Sequence, residues 1–160
     1  MTPEQDRQFD IYGCAARCLM TIASASRAGL TKAAFIDRYV SRYWIGSDKC
    51  GGLTQDQIKE VAIDLGLAKS IKESKDFGEV RSHIRSQSVA SILMITEKKY
   101  EQNGQLSIYC HCTLVSPATV QGDDLLYLTE LDYLIGTARG QYLPEAFIVP
   151  LIPTFLLLQQ

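Results

Sequence analysis

Gly13 precedes Cys14, and Cys14 opens a run of good helix formers, Ala15-Ala16-Arg17-Cys18-Leu19-Met20. Glycine permits the tight backbone approach that such a start needs. A thiol in the first turn of a helix lies near backbone N–H groups and the positive end of the helix dipole, an environment that suits a thiolate nucleophile. Gln8 stands six residues earlier, and its side-chain N–H can point back at the cysteine. A glutamine donor combined with the nucleophile's own backbone N–H is one way to build an oxyanion hole. Far downstream, His111 sits in a run of apolar and small residues, Leu106 to Val115. On its own it reads as a buried structural histidine. With a cysteine near the start of the chain, the order Cys then distant His suits thiol–imidazole chemistry.

Gln8 and the tract Asp10-Ile11-Tyr12-Gly13-Cys14-Ala15-Ala16-Arg17-Cys18-Leu19 resemble the opening of the papain-like cysteine peptidases. Within that group they resemble the double-glycine peptidase domain that clips leader peptides in bacteriocin-exporting transporters. The resemblance implies Cys14 as nucleophile at the start of the first helix, Gln8 in the oxyanion hole and His111 as base, with Cys112-Thr113-Leu114-Val115 as the strand after the histidine. It also implies an Asp or Asn at the end of the next strand to orient the imidazole. That strand ends Thr129-Glu130-Leu131-Asp132-Tyr133. Glu130 and Asp132 share strand parity, so alternation does not choose between them. The distance to Pro144-Glu145-Ala146-Phe147 resembles the family better from Asp132, with Glu130 as the alternative. The family's Asp-Pro is absent, and the preceding hairpin is longer than its usual one.

The chain is 160 residues long, which suits a single papain-like domain over residues 1–160. A net charge of −2 with scattered basic residues gives no footprint for nucleic acid or an anionic membrane. No charged segment leads into an apolar one at the N-terminus, so no secretory signal is visible. The expected place is the cytoplasm of the producing cell, with delivery by a non-Sec route left open. Five cysteines, Cys14, Cys18, Cys50, Cys110 and Cys112, do not pair into an even disulfide framework. Cys110 and Cys112 fit one strand rather than a zinc knuckle, and no Cys-x-x-Cys is present. Neither metal nor cofactor is expected.

The pattern along the chain places these residues on elements. Residues 1–13 are polar and are expected to run extended into the site. A helix follows from Cys14 to about Arg27, stopped by Gly29, with small residues for close packing. Thr31 caps a second helix; Trp44 then reads as a hydrophobic anchor under a loop or as a cleft wall. Thr54 and Gln57 form a Thr-x-x-Gln capping box, Ile58, Val61, Ala62 and Leu65 make a buried stripe, and Gly66 ends the helix. This glycine-rich turn, helix and Leu-Gly-Leu ending also resemble the family. Phe77 to Ser86 reads as a helix with Val80 and Ile84 inward and His83 at the surface. Strands are expected at Val89–Ile95, Leu106–Val115 (stopped by Ser116-Pro117), Leu125–Leu131 and Phe155–Leu158, with a helical turn at Leu143–Phe147. The tail from Ala146 to Leu158 is apolar but too short and proline-broken to span a membrane. Helices first and antiparallel strands second make an α+β chain. The resemblance makes it a papain-like fold, an N-terminal helical layer on a C-terminal antiparallel sheet.

This set of residues supports acyl transfer at a carbonyl. A peptide bond as substrate makes the chain a cysteine peptidase. A glutamine side chain makes it a deamidase of the bacterial effector or toxin kind, and an incoming amine makes it a transglutaminase. The family resemblance favours the peptidase. The transporter to which such domains are normally fused is missing from these residues, which keeps the effector reading alongside. A degenerate, non-catalytic member would be a peptide-binding module, but such members typically lose the cysteine that is present here. The partners implied are a peptide or protein substrate and an inhibitor, immunity or chaperone protein.

Overall fold

In the computed structural model, which describes residues 2–26, 31–40, 42, 52–86, 92–121, 124–129 and 141–159, the polar leader is not extended. It forms a helix, α1 (Pro3–Tyr12). Thr2 Oγ1 accepts the Gln5 N–H, the Gln5 side chain accepts the Thr2 N–H, and Pro3 occupies the first turn. That is a complete capping box with proline where its missing N–H does no harm. Phe9, fully buried, anchors the helix.

The chain divides into two compact units, Met1–Ser70 and Ile71–Gln159. In the first, α2 (Cys14–Ser26) buries Ala15, Ala16, Leu19, Ile22 and Ala23. This spacing lines one face of a helix, and α2 contacts both α1 and α4 (Gln55–Asp64). The short helix α3 (Lys32–Phe35) is capped by Thr31 as expected and continues into a π-helical turn, Ile36–Val40. Lys32 ties it to α1, pairing with Asp6 while its ammonium stands 4.9 Å from the centre of the Phe9 ring. Helix α4 carries the expected Thr54–Gln57 box and buries Ile58, Val61 and Ala62. It stops where Gly66 takes φ +69° and Leu67 N–H reaches back to Ala62 O at 2.9 Å. Trp44, Gly29 and Cys50 lie outside the described residues.

The second unit is a six-stranded sheet and the helix α5 (Phe77–Ser86). The strands are β1 (Ser70–Ser74), β2 (Ile92–Gln102), β3 (Gln105–Gln121), β4 (Asp124–Thr129), β5 (Gln141–Pro144) and β6 (Thr154–Gln159). Their spatial order is β1-β6-β2-β3-β4-β5. β6–β2, β2–β3, β3–β4 and β4–β5 all pair antiparallel. The chain is therefore α+β, helices first and sheet second.

Two strands are longer than their patterns predict. The stretch 96–102, polar enough to read as loop, is paired with β3 as far as Gln102↔Gln105. The tip is a two-residue turn with Asn103 at φ 55° and Gly104 at φ 75°, and this turn type matches strand twist. β3 also runs through Ser116-Pro117, where it was expected to stop, with a register shift between Pro117 and Val120. Proline is tolerated in a strand at such an irregularity.

Register assigns the faces. Ile92, Met94 and Val115 share one face with Phe155 and Leu157. That face forms a cluster with Val80 and Ile84 of α5 and with Ile148, from a short helix, α6 (Glu145–Ile148). Phe77 meets Phe155 edge to face at 5.3 Å. On the other face Leu93, Leu156 and Leu158 are buried as well, which is why these strands read as unbroken apolar runs. Phe155→Ala should lower stability by about 3–5 kcal/mol, and Phe77→Ala by less because Phe77 is only partly buried. Urea denaturation of both variants checks the order; equal losses would contradict this packing.

Candidate active site

Gly13 stands alone between α1 and α2. Its N–H donates to Phe9 O at 2.8 Å, and its own carbonyl accepts the Arg17 N–H at 2.8 Å. A Cβ at this position would lie 2.4 Å from Phe9 O, closer than real Cβ atoms approach a backbone oxygen. A glycine is thus required to let one helix end and the next begin at Cys14. Cys14 is the first residue of α2, partly exposed and reduced. Cys18, one turn on, is also partly exposed. Because α1 is helical up to Tyr12, its C-terminal dipole faces the N-terminal dipole of α2 across Gly13. The thiol therefore stands at a junction of two helix ends rather than at an open helix start.

Gln8 lies within α1 rather than on an extended segment; its side chain is outside the described part of the structure. His111 lies on β3, directly opposite Thr96 of β2, and is 2% exposed. Its neighbours Cys110 and Cys112 fall on the other face of the strand, Cys110 exposed and Cys112 buried, as alternation requires. Cys14 and His111 belong to different units. Glu130 and Asp132, the two candidates for orienting the imidazole, lie outside the described residues.

The second histidine departs from its expected place. His83 is 8% exposed rather than at the surface. Helical spacing already contains the reason: 77, 80, 83 and 84 make one stripe of α5, so the histidine comes inward with Val80 and Ile84. Burial pushes its imidazole below the ordinary value, and a hydrogen bond with the Leu158 backbone opposes this. His83 borders a groove of about 630 Å³ shared with Lys72, Asp76, Glu79, Leu157 and Gln159. Within it, Glu79 takes a hydrogen bond from Ser74 and pairs with Lys72 at 2.9 Å. The Ser74 hydroxyl and then Lys72 hold its carboxyl below the usual carboxylate value. Asp76 caps α5, accepting the Gly78 N–H at 2.7 Å.

Among the described residues no group of three or more His, Cys, Asp or Glu side chains is placed to hold a metal ion. None of the described helices is long and apolar enough to cross a membrane. Compared with known proteins, the chain matches no family model, no curated protein and no solved structure.

Two outcomes follow from this geometry. Gly13→Ala should lower stability by about 1–3 kcal/mol, the usual range for forcing an atom into a filled space, and should disturb α1–α2 more than the sheet unit. Hydrogen exchange resolved by peptide checks the location. His83 contributes a pH dependence of known sign. Its folded-state value is lowered from 6.5, so the unfolded chain takes up the proton first as pH falls. Stability should be level above pH 6.5 and decline below it. His83→Gln should flatten the decline between about pH 6.5 and the carboxylate range, as read from urea midpoints. An unchanged slope would exclude His83 as its source.

Proposed function

We propose that the chain is a thiol-dependent acyl-transfer hydrolase of papain-like fold, a cysteine peptidase with Cys14 as nucleophile and His111 as base. The observation that carries this reading is Cys14 itself: a reduced, partly exposed thiol in the first position of a helix, behind a glycine whose replacement would collide with Phe9 O. A backbone arranged so tightly to begin a helix at a cysteine is the arrangement a helix-borne thiol nucleophile uses.

In the proposed reaction His111 takes the Cys14 proton. The thiolate attacks the carbonyl carbon, and the oxyanion is met by the Gln8 side-chain N–H and the Cys14 backbone N–H. The C–N bond breaks as His111 returns its proton to the leaving amine. Water, deprotonated by His111, then cleaves the thioester and restores the thiol. Asp132, or Glu130 in its place, orients the imidazole. The near-complete burial of His111 supports its part in this scheme, because a base shielded from bulk water keeps its proton for the leaving group. No step calls for a metal or an organic cofactor.

Wild type and Cys14→Ala, incubated with a whole-cell lysate and followed by peptide mass spectrometry, test the reading. New peptide termini that require Cys14 are expected, and they name the cleavage motif. Cys14→Ala and His111→Ala should each abolish them with the fold intact, and Gln8→Ala should slow them about 10²–10³-fold. Glutamines gaining about one mass unit, the amide-to-acid change, would replace the peptidase by a deamidase. Cleavage retained in either Cys14→Ala or His111→Ala would overturn the catalytic pair, and no Cys14-dependent chemistry would point to a peptide-binding module.

A further inference from the structure

Two buried hydroxyls lie on the sheet face that carries His111. Thr96 and Thr113 are each 1% exposed, and Oγ1 of each has no hydrogen-bond partner. Register fixes where they stand. Thr96 is directly opposite His111, and Thr113 is two residues along the same strand as His111, opposite Met94. All three therefore share one face, where they continue the row of Ile92, Met94 and Val115 from the apolar cluster. The next registered pair along this face is Lys98 with Tyr109.

A buried hydroxyl with no partner weakens a fold, and valine would fill the same space without that penalty. Two such hydroxyls in one patch, both beside the same imidazole, contribute no bond to the resting fold. We infer that Thr96 is a positioning residue for His111: its hydroxyl oxygen accepts the second imidazole N–H when the ring is protonated. The inference rests on the reading of His111 as the base. A neutral imidazole has one N–H, and an imidazolium has two. The second appears when His111 takes the thiol proton, in a place too enclosed for bulk water to accept it. Directly opposite residues on antiparallel strands have Cβ atoms about 4.5–5.5 Å apart, so turning the Thr96 side chain about χ1 brings its oxygen within reach. Thr113, further off at i+2, is the second acceptor on the same face. A hydroxyl holds the ring's orientation without adding a buried negative charge.

The test compares wild type, Thr96→Val and Thr96→Ser by NMR of the imidazole rings across a pH series. The chain has two histidines, so His83→Gln assigns the His111 signals. Thr96→Val should fold and melt at the same temperature as wild type or higher. Its His111 titration midpoint should fall by about one pH unit, the loss of one hydrogen bond to a charged group. Thr96→Ser should restore the midpoint. An unmoved midpoint in Thr96→Val overturns the inference. So does a Thr96→Val chain that melts lower or does not fold, because the hydroxyl would then already be bonded in the resting state. The measurement needs no substrate. A shifted midpoint without Cys14-dependent chemistry would sink the hydrolase reading and keep the positioning of the ring; Cys14-dependent cleavage with an unmoved midpoint would do the reverse.

Discussion

Residue 13 has room for a hydrogen and nothing larger, and the helical unit depends on that. With a Cβ held 2.4 Å from Phe9 O, either α1 would have to end earlier or α2 start later. Phe9 is the buried anchor of α1 and stacks beneath Lys32, so shifting its carbonyl would pull on α3 as well. The position of Cys14 is thus set by packing on both sides of it. Helix α2 then uses small residues, Ala15, Ala16 and Ala23, to bring its backbone close to its neighbours. Such packing fixes a helix axis more tightly than long side chains do.

The sheet unit is governed by a different constraint, the period of two along β2, β3 and β6. One face meets α5 through Val80 and Ile84, and the other is equally buried at Leu93 and Leu156. The polar trio of Thr96, His111 and Thr113 occupies the first of these faces where the apolar row ends. A one-residue slip of β2 against β3 would exchange the faces and place Glu97 where Thr96 is. Burial of a charged carboxylate there forbids the slip, so the alignment of the histidine with its threonine neighbour is protected by the same rule that protects the core.

Local chemistry was readable in the sequence wherever it involved three or four consecutive positions. The Thr54–Gln57 box, the Gly66 stop, the Thr31 cap and the inward faces of α4 and α5 all stand where their residues place them. The same box at Thr2 and Gln5 was passed over because no apolar stripe follows it; a single residue, Phe9, holds that helix to the core. The strands beyond Thr96 and Ser116 were hidden for a related reason. Their pairing comes from the neighbouring strand and from the Asn103-Gly104 turn, not from apolar alternation. His83 lies on a legible stripe, but its polarity outweighed its position. For the candidate site, the helix start at Cys14 and the strand position of His111 were legible. The pairing of residues 97 apart in sequence (111 minus 14) is not, because no local rule relates them.

The strand order has a bearing on how the second unit is made. β6 is the last strand in sequence, yet it lies between β1 and β2. The first strand therefore has no neighbour to pair with until residues 154–159 have been synthesised, and Phe155 and Leu157 are missing from the apolar cluster until then. The β2–β3 hairpin, closed by a two-residue turn, is available much earlier. On the ribosome, at about 5–20 residues per second, the nascent sheet would pass through a stage with the hairpin formed and the outer edge of Ile92–Ile95 unpaired. Such an apolar edge invites pairing with another chain. Non-local closure of this kind also slows folding. The weakest moment in the life of this protein thus falls during synthesis, in the seconds before its final strand arrives to fill the gap.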